Sequence, residues 1–331
     1  MTRYSSDLSP QSPNVVIPTK NGIAEVKFDL KNKLRFLGKL KSASLPDVDR
    51  HVIHRIVDNE AVFTVRPPEN GEYGLEIYAN DKDKDGTTMH HIYQYLIVAR
   101  DVKGKVDPFP QLPSTFLGPQ GNFNDFGMQI TSHKDPFIVS EKGSSVIAFK
   151  NTRPMKLMSQ LTFVSGGGQE DLGSYVLQNT TENSISFHLE LPKNGSYKFT
   201  VFGLPADQSS DNVPALFNCL IECLQGNAGA APFPKQFSQW KSSGVLISPT
   251  TGKLTGSPSP TKFDLKVINA RDVAVVIGDA WTQLTKQSNG NWQGDVDISE
   301  HLGKQTKCVI CANMDDNEAT FSTILEYAIA N

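Results

Sequence analysis

Apolar and polar residues alternate with a period of two along many short stretches of this chain. Val26-Lys-Phe-Asp-Leu30, Leu75-Glu-Ile77, Phe187-His-Leu-Glu-Leu191, Phe199-Thr-Val201 and Phe263-Asp-Leu-Lys-Val267 all read this way. That spacing puts one face of each segment in a core and the other in water. No stretch of about a dozen residues carries a convincing helical period. Short strands broken by turns every eight to twelve residues or so predict an all-β chain built from antiparallel sandwiches.

The same order of features recurs three times, about 110 residues apart, a spacing that suits a whole domain better than one turn of a solenoid. The first copy runs from Phe63 through Pro67-Pro-Glu-Asn-Gly-Glu-Tyr73 to Ala79 and closes with His91–Val98. The second runs from Phe187 through Pro192-Lys-Asn-Gly-Ser-Tyr197 to Gly203 and closes with Leu216–Cys223. The third is more worn, Gly294–Ala312 and then Phe321–Ile329. Phe123–Ser132 and Phe237–Ser248 form matching front halves for the second and third copies. Asn70-Gly71 and Asn194-Gly195 read as tight-turn dipeptides between strands, because both residues tolerate a positive φ. The expected division is a flexible arm over 1–13 and modules over 14–107, 108–227 and 228–331. The connecting stretches Lys103–Pro110 and Gln225–Pro234 both end in Pro-Phe-Pro, which is stiff and extended and predicts a semi-rigid row of modules.

The repeated Pro-x-Asn-Gly-x-Tyr, the alternating strand after it and the closing apolar run resemble the immunoglobulin-like modules of the hillarin and kyphoscoliosis peptidase family. The segment Leu117–Gly127 followed by Ser132-His-Lys-Asp-Pro136 is similar to the way those modules begin. The resemblance covers most of the chain and implies three tandem immunoglobulin-like sandwiches, with Tyr73 and Tyr197 placed as in a tyrosine corner. In that family a transglutaminase-like domain carries a Cys, His and Asp constellation. Here the first module begins within about 20 residues of Met1, so the expectation is modules without the enzyme. Association with cytoskeletal or muscle proteins is what the resemblance implies for function.

Composition narrows the partners. Lys plus Arg number 32 against 35 Asp plus Glu, a net charge of −3, and no basic stripe offers itself to phosphates. Nucleic acid is not expected. No apolar run approaches the roughly 18 residues of a membrane span, and the start of the chain lacks the apolar stretch of a secretory signal. A cytoplasmic location is the expectation.

Each motif with chemical content has a plain structural reading. Asp81-Lys-Asp-Lys-Asp-Gly86 supplies the first ligands of a calcium loop, but the twelfth position is Ile92, where a bidentate Glu is required. It reads as a solvated loop. Cys308-Val-Ile-Cys311 has zinc-ribbon spacing without a second pair, and Cys219 and Cys223 also lack partners. All four read as buried thiols. Gly166-Gly-Gly168 lacks the Lys and Ser/Thr of a phosphate loop and reads as a hairpin tip. The histidines, His51, His54, His90, His91, His133, His188 and His301, show no nucleophile nearby in sequence and read as surface residues. Trp240, Trp281 and Trp292, with Phe109, Phe116, Phe123, Phe126 and Phe137, read as core or junction aromatics, and the Phe-rich start of the second module is the first candidate for a sticky face.

The expected protein is therefore a noncatalytic structural or adaptor protein, with no catalytic, metal or cofactor site. Its expected partner is a protein of a cytoskeletal or filament assembly, and self-association is possible. Two alternatives stay open. One is a carbohydrate- or surface-binding array, for which the sequons at Asn179 and Asn194 would matter. The other is an accessory part of a transglutaminase-like peptidase.

Overall fold

The computed structural model describes all residues except 1–3, 5, 6, 13, 33, 82–85, 105, 112–116, 166, 167, 258, 315–319 and 331. The interior of the Asp81–Gly86 loop, Phe116, Gly166, Gly167 and most of the loop after Met314 lie outside the described residues.

The alternating segments form strands whose apolar sides meet across paired sheets. Leu8–Pro10, Ala24–Leu30, Glu60–Val65 and Val52–Val57 make one sheet in that order, and Val16–Pro18, His90–Ala99, Gly71–Asn80 and Arg35–Ser42 make the sheet facing it. Between them lie Val26, Phe28, Phe63, Leu75, Ile77 and Ile97. The second pair sets Met128–Ile130, Ser144–Asn151, Ser184–Glu190 and Val176–Thr180 against Phe137–Ser140, Ala215–Cys223, Gly195–Pro205, Met155–Ser165 and Gly168–Asp171. The third sets Gly244–Ser248, Thr261–Val267, Trp292–Val296 and Thr285–Lys286 against Lys235–Gln236, Ser322–Ile329, Lys307–Asn313, Asp272–Ile277 and Ala280–Gln283. Each pair encloses its own apolar cluster, so the pairs are called the first, second and third sandwich below. Among the described strands, pairing within each sheet is antiparallel except where Val16–Pro18, Phe137–Ser140 and Lys253–Leu254 each join the last strand of their sandwich in parallel.

Several details depart from the sequence expectation. The segment 1–13 is not a flexible arm where it is described. Leu8–Pro10 pairs with Phe28–Leu30, and Tyr4 and Leu8 are buried. These two apolar side chains join the core of the first sandwich, too few to produce a readable alternation. The Asn-Gly dipeptides do not close hairpins, because the strands on either side belong to different sheets. Their asparagines fasten the chain leaving each sandwich: Asn70 Oδ1 accepts from the Val102 N–H at 2.9 Å and Asn194 Oδ1 from the Gly226 N–H at 2.7 Å. An unforeseen short helix, Ser238–Ser243, precedes strand Gly244–Ser248.

The tyrosines close the turns as their setting suggests. Tyr73 O–H donates to the Glu69 carbonyl at 3.0 Å. Tyr197 O–H donates to the Lys193 carbonyl at 2.8 Å, while the Lys193 N–H donates back to the phenol oxygen at 2.8 Å. The third sandwich uses a different strand, with Tyr327 O–H donating to the Pro249 carbonyl at 3.0 Å. Tyr197→Phe removes both a donor and the acceptor of a main-chain N–H, so it is expected to cost about 1–2 kcal/mol, read as a lowered urea midpoint.

Candidate functional site

The reactive side chains are arranged for burial. Cys219, Cys223, Cys308 and Cys311 are all free and buried. Burial pushes the Cys308 thiol up to about 12 and raises that of Cys219. Such thiols are poor nucleophiles, since the thiolate is the attacking form. Among the described residues no group of three His, Cys, Asp or Glu could hold a metal, and no helix is long and apolar enough to cross a membrane.

Not all histidines lie at the surface. His51 is buried and its Nδ1 lies 2.7 Å from the Arg66 carbonyl. His54 stacks on Phe63 with its Nε2 sealed from water and without a partner, and burial lowers its pKa to about 4. The Phe-rich start of the second sandwich is likewise inside: Phe109, Phe123 and Phe126 are buried. Trp240 and Trp292 are buried, whereas Trp281 is 53% exposed, against the expectation of a core or junction role.

The polar side chains that matter converge at the boundaries between sandwiches. Strand Val52–Val57 is an outer strand of the first sandwich, and its open side meets the chain entering the second. Phe109 N–H donates to the Arg50 carbonyl at 2.8 Å, and Leu117 makes a parallel bridge to Arg55. Ile53, Phe109, Leu117 and Leu220 form a small separate apolar cluster with Phe137 against it. Arg55, only 4% exposed, spans the boundary. Its Nε and Nη2 donate to Asp135 Oδ1 and Oδ2 at 2.6 and 2.9 Å, its Nη2 also to Glu25 Oε1 at 3.1 Å, and its Nη1 to Thr64 Oγ1 at 2.6 Å. The planar fork of arginine suits this two-sided grip. Beside it, the Arg66 guanidinium lies 4.2 Å from the Phe109 ring centre and 3.6 Å from Glu222.

The boundary between the second and third sandwiches repeats the principle with neutral groups. Strand Val176–Thr180 is again an outer strand. Gln236 Nε2 donates to the Val176 carbonyl at 2.7 Å and its Oε1 accepts from the Gln178 N–H at 2.8 Å. The fully buried Trp240 donates its indole N–H to the Gln178 carbonyl at 2.9 Å. Asn179 Oδ1 accepts from the Leu246 N–H at 3.1 Å, and Gln178 Nε2 and Thr180 Oγ1 both donate to the Lys241 carbonyl. Leu177 packs in the core cluster of the third sandwich. The two boundaries are in register. His54 faces Phe63 and Gln178 faces Phe187 in their ladders, so Ile53 and Leu177 occupy the same rung, as do Arg55 and Asn179. A cleft of about 820 Å³ opens beside this second boundary, lined by Asn151, Met155, Thr180, Gln239 and Met314 among others.

The aromatics Phe109, Phe137 and Trp240 take the core or junction places expected of them, but the polar contacts across the boundaries were not legible in the sequence. Arg55 and Asp135 are 80 residues apart, and Gln178 and Gln236 sit among many polar residues of the same type. The Pro-Phe-Pro stretches were a further hint, since Phe109 enters the first boundary and Phe233 packs against the third core.

A profile of KY-like, immunoglobulin-like domains matches residues 4–110 and 113–234. The chain is 24% identical over 326 residues to kyphoscoliosis peptidase of Mus musculus, which covers 97% of this chain and 46% of that protein. It is 25% identical to the Homo sapiens protein with the same coverage. Hillarin of Drosophila melanogaster is 24% identical over 159 residues, or 46% of this chain and 19% of that one. The chain thus spans about half the length of the curated peptidase relatives, and what it shares with them is the immunoglobulin-like part.

Two measurements test strand Val52–Val57, one at the boundary and one at its core side. Arg55→Ala removes the guanidinium from Glu25 and Asp135, which keep Thr64 Oγ1 and the Phe137 N–H respectively; because both carboxylates are also near 40% exposed, a drop of about 2 kcal/mol in unfolding free energy is expected. His54 gives a pH signature. The unfolded chain binds its proton near pH 6.5 and the folded chain only near 4. Stability is therefore complete above pH 6.5 and falls by roughly 3 kcal/mol as the pH drops to about 4. Urea midpoints across that range should fall less steeply in His54→Leu.

Proposed function

The chain belongs to the family of KY-like, immunoglobulin-like domains, and from that premise we propose that it is a noncatalytic structural or adaptor protein whose modules bind other proteins within a cytoskeletal or filament assembly. The proposed division follows the apolar clusters, with modules over 14–107, 108–227 and 228–331, the first extended by Tyr4 and Leu8–Pro10. A cytoplasmic setting accords with four unpaired thiols, which a reducing compartment preserves.

The observation that carries this reading is the pair of sealed boundaries. Independent domains on a flexible tether do not need a buried arginine held by carboxylates from both sides, nor a buried indole capping the neighbour's main chain. A protein that holds partners at fixed separations does, because free rotation at a boundary would lose the spacing. The buried thiols, whose pKa values are raised, favour the same reading over a nucleophilic one.

Full-length protein used as bait in native extract should enrich filament components, and the enriched component, once purified, should cosediment with it. A bait that enriches none, or a peptidase activity of the purified chain abolished by thiol alkylation, defeats the proposal.

A further inference from the structure

In the second sandwich, the outer side of strand Met155–Ser165 is closed along only part of its length. Gly168–Asp171 pairs with Thr162–Ser165, and the Leu172 N–H donates to the Leu161 carbonyl at 2.8 Å. Toward Met155, no strand lies on that side among the described residues. Register decides which groups are left open. The Pro154 carbonyl accepts from the Ala206 N–H inside the ladder with Gly195–Pro205, so even positions face that ladder. Met155, Leu157 and Ser159 turn their main-chain groups outward.

The other two sandwiches guard the same edge. In the third, Ile277 faces Ala280 as Ser165 faces Gly168, and the Leu284 N–H donates to the Val273 carbonyl as Leu172 does to Leu161. Strand Asp272–Ile277 begins one residue before that bond, so only Asp272 projects beyond the hairpin. In the first, Ser42 faces Tyr73 as Phe163 faces Tyr197, which places Phe36 and Gly38 where Leu157 and Ser159 stand. That edge strand carries Arg35, Lys39 and Lys41, charges of the kind that keep a foreign strand from adding. The corresponding residues of the second sandwich are Lys156, Gln160 and Thr162, so one charge remains of the three.

The open stretch borders a groove of about 430 Å³, lined by Met158, Leu204 and Val213 of the second sandwich and by Ser238 and Ser242 of the short helix. Met158 is 49% exposed. The groove is continuous with the cleft at the second boundary, since Met155 and Ser238 line both. The boundary also fixes the helix, because the Lys241 carbonyl accepts from Gln178 and Thr180. That wall favours one extended segment over the edge of another sheet. The charged side chains among the described lining residues, Lys156 and Lys241, are both cationic.

We propose that this groove takes an extended segment of a partner protein, which adds as a strand along Met155–Ser159. Leu157 and Ser159 supply the main-chain hydrogen bonds, Met158 and Leu204 receive apolar side chains from alternate positions, and Lys156 and Lys241 select a carboxylate. This deepens the scaffold reading and rests on it, since it names the place where a partner is held.

Random octapeptides displayed on phage and selected on the full-length chain test the inference. Enriched sequences should alternate apolar residues and carry Asp or Glu, and their synthetic forms should bind in fluorescence polarisation. N-methylation of alternate peptide amides should weaken binding at least about fivefold, the scale of one main-chain hydrogen bond. Ser159→Pro deletes an outward N–H, leaves the ladder to Gly195–Pro205 in place and should weaken binding as much. Met158→Lys adds a charge at an exposed position, should do the same, and decides the matter if circular dichroism shows the proline variant unfolded. Selection that enriches nothing, or peptides that bind the Met158→Lys protein as tightly as the parent, overturns the inference. So does self-association of the parent that Met158→Lys abolishes, since it assigns the edge to a second copy. If the full-length bait still captures filament components in those cases, only the groove falls and the scaffold reading stands.

Discussion

An outer strand carries unpaired main-chain groups along one side, and the organisation of this protein follows from how those groups are covered. A sandwich unit leaves such edges open by construction, and an open edge invites indiscriminate pairing. Here the segment entering each later sandwich lies against an edge of the sandwich before it. At the first boundary, Phe109 N–H bonds to the Arg50 carbonyl just ahead of strand Val52–Val57, Leu117 bridges to Arg55 within it, and Arg55 reaches across to Asp135. At the second, Gln236 and Trp240 satisfy the carbonyl of Val176 and both main-chain groups of Gln178.

The two solutions are chemically different on the same rungs. Arg55 makes a charged, bidentate contact, and because its carboxylates stay partly wet the desolvation cost falls mainly on the guanidinium. Asn179 in the equivalent place uses one amide oxygen, and the neighbouring Trp240 supplies the buried area. The shared part is apolar: Ile53 and Leu177 both leave their own sandwich and pack with the next. The asparagines of Pro-x-Asn-Gly-x-Tyr serve the same end from the other direction. Asn70 and Asn194 hold the chain as it leaves each sandwich, 32 residues downstream in both cases, and so aim the segment that goes on to cover the edge.

This arrangement leaves the chemistry-bearing residues with structural work. The thiols fill core positions. His54 is held neutral by burial against Phe63, and acidic residues such as Glu25 and Asp135 meet arginine at a boundary. The phenols of Tyr73 and Tyr197, the most recognisable marks of the repeat, tie turns to strands. Function then resides in surfaces and spacing, which no single side chain announces.

The sequence by itself determined the strands, the repeat and the family, because alternation and the Asn-Gly-x-Tyr turn are local and each sandwich must bury the same apolar rungs. It also determined that the cysteines are core residues, since they lie inside apolar runs. Only the tertiary structure decided which edges are covered, that the Asn-Gly pairs join different sheets, and that Arg55, Gln178 and Gln236 are polar contacts between sandwiches. The reason is geometric. Which open edge a later segment meets depends on the relative placement of whole sheets, and a polar residue on an outer rung has the same local pattern whether it faces water or a neighbouring sandwich.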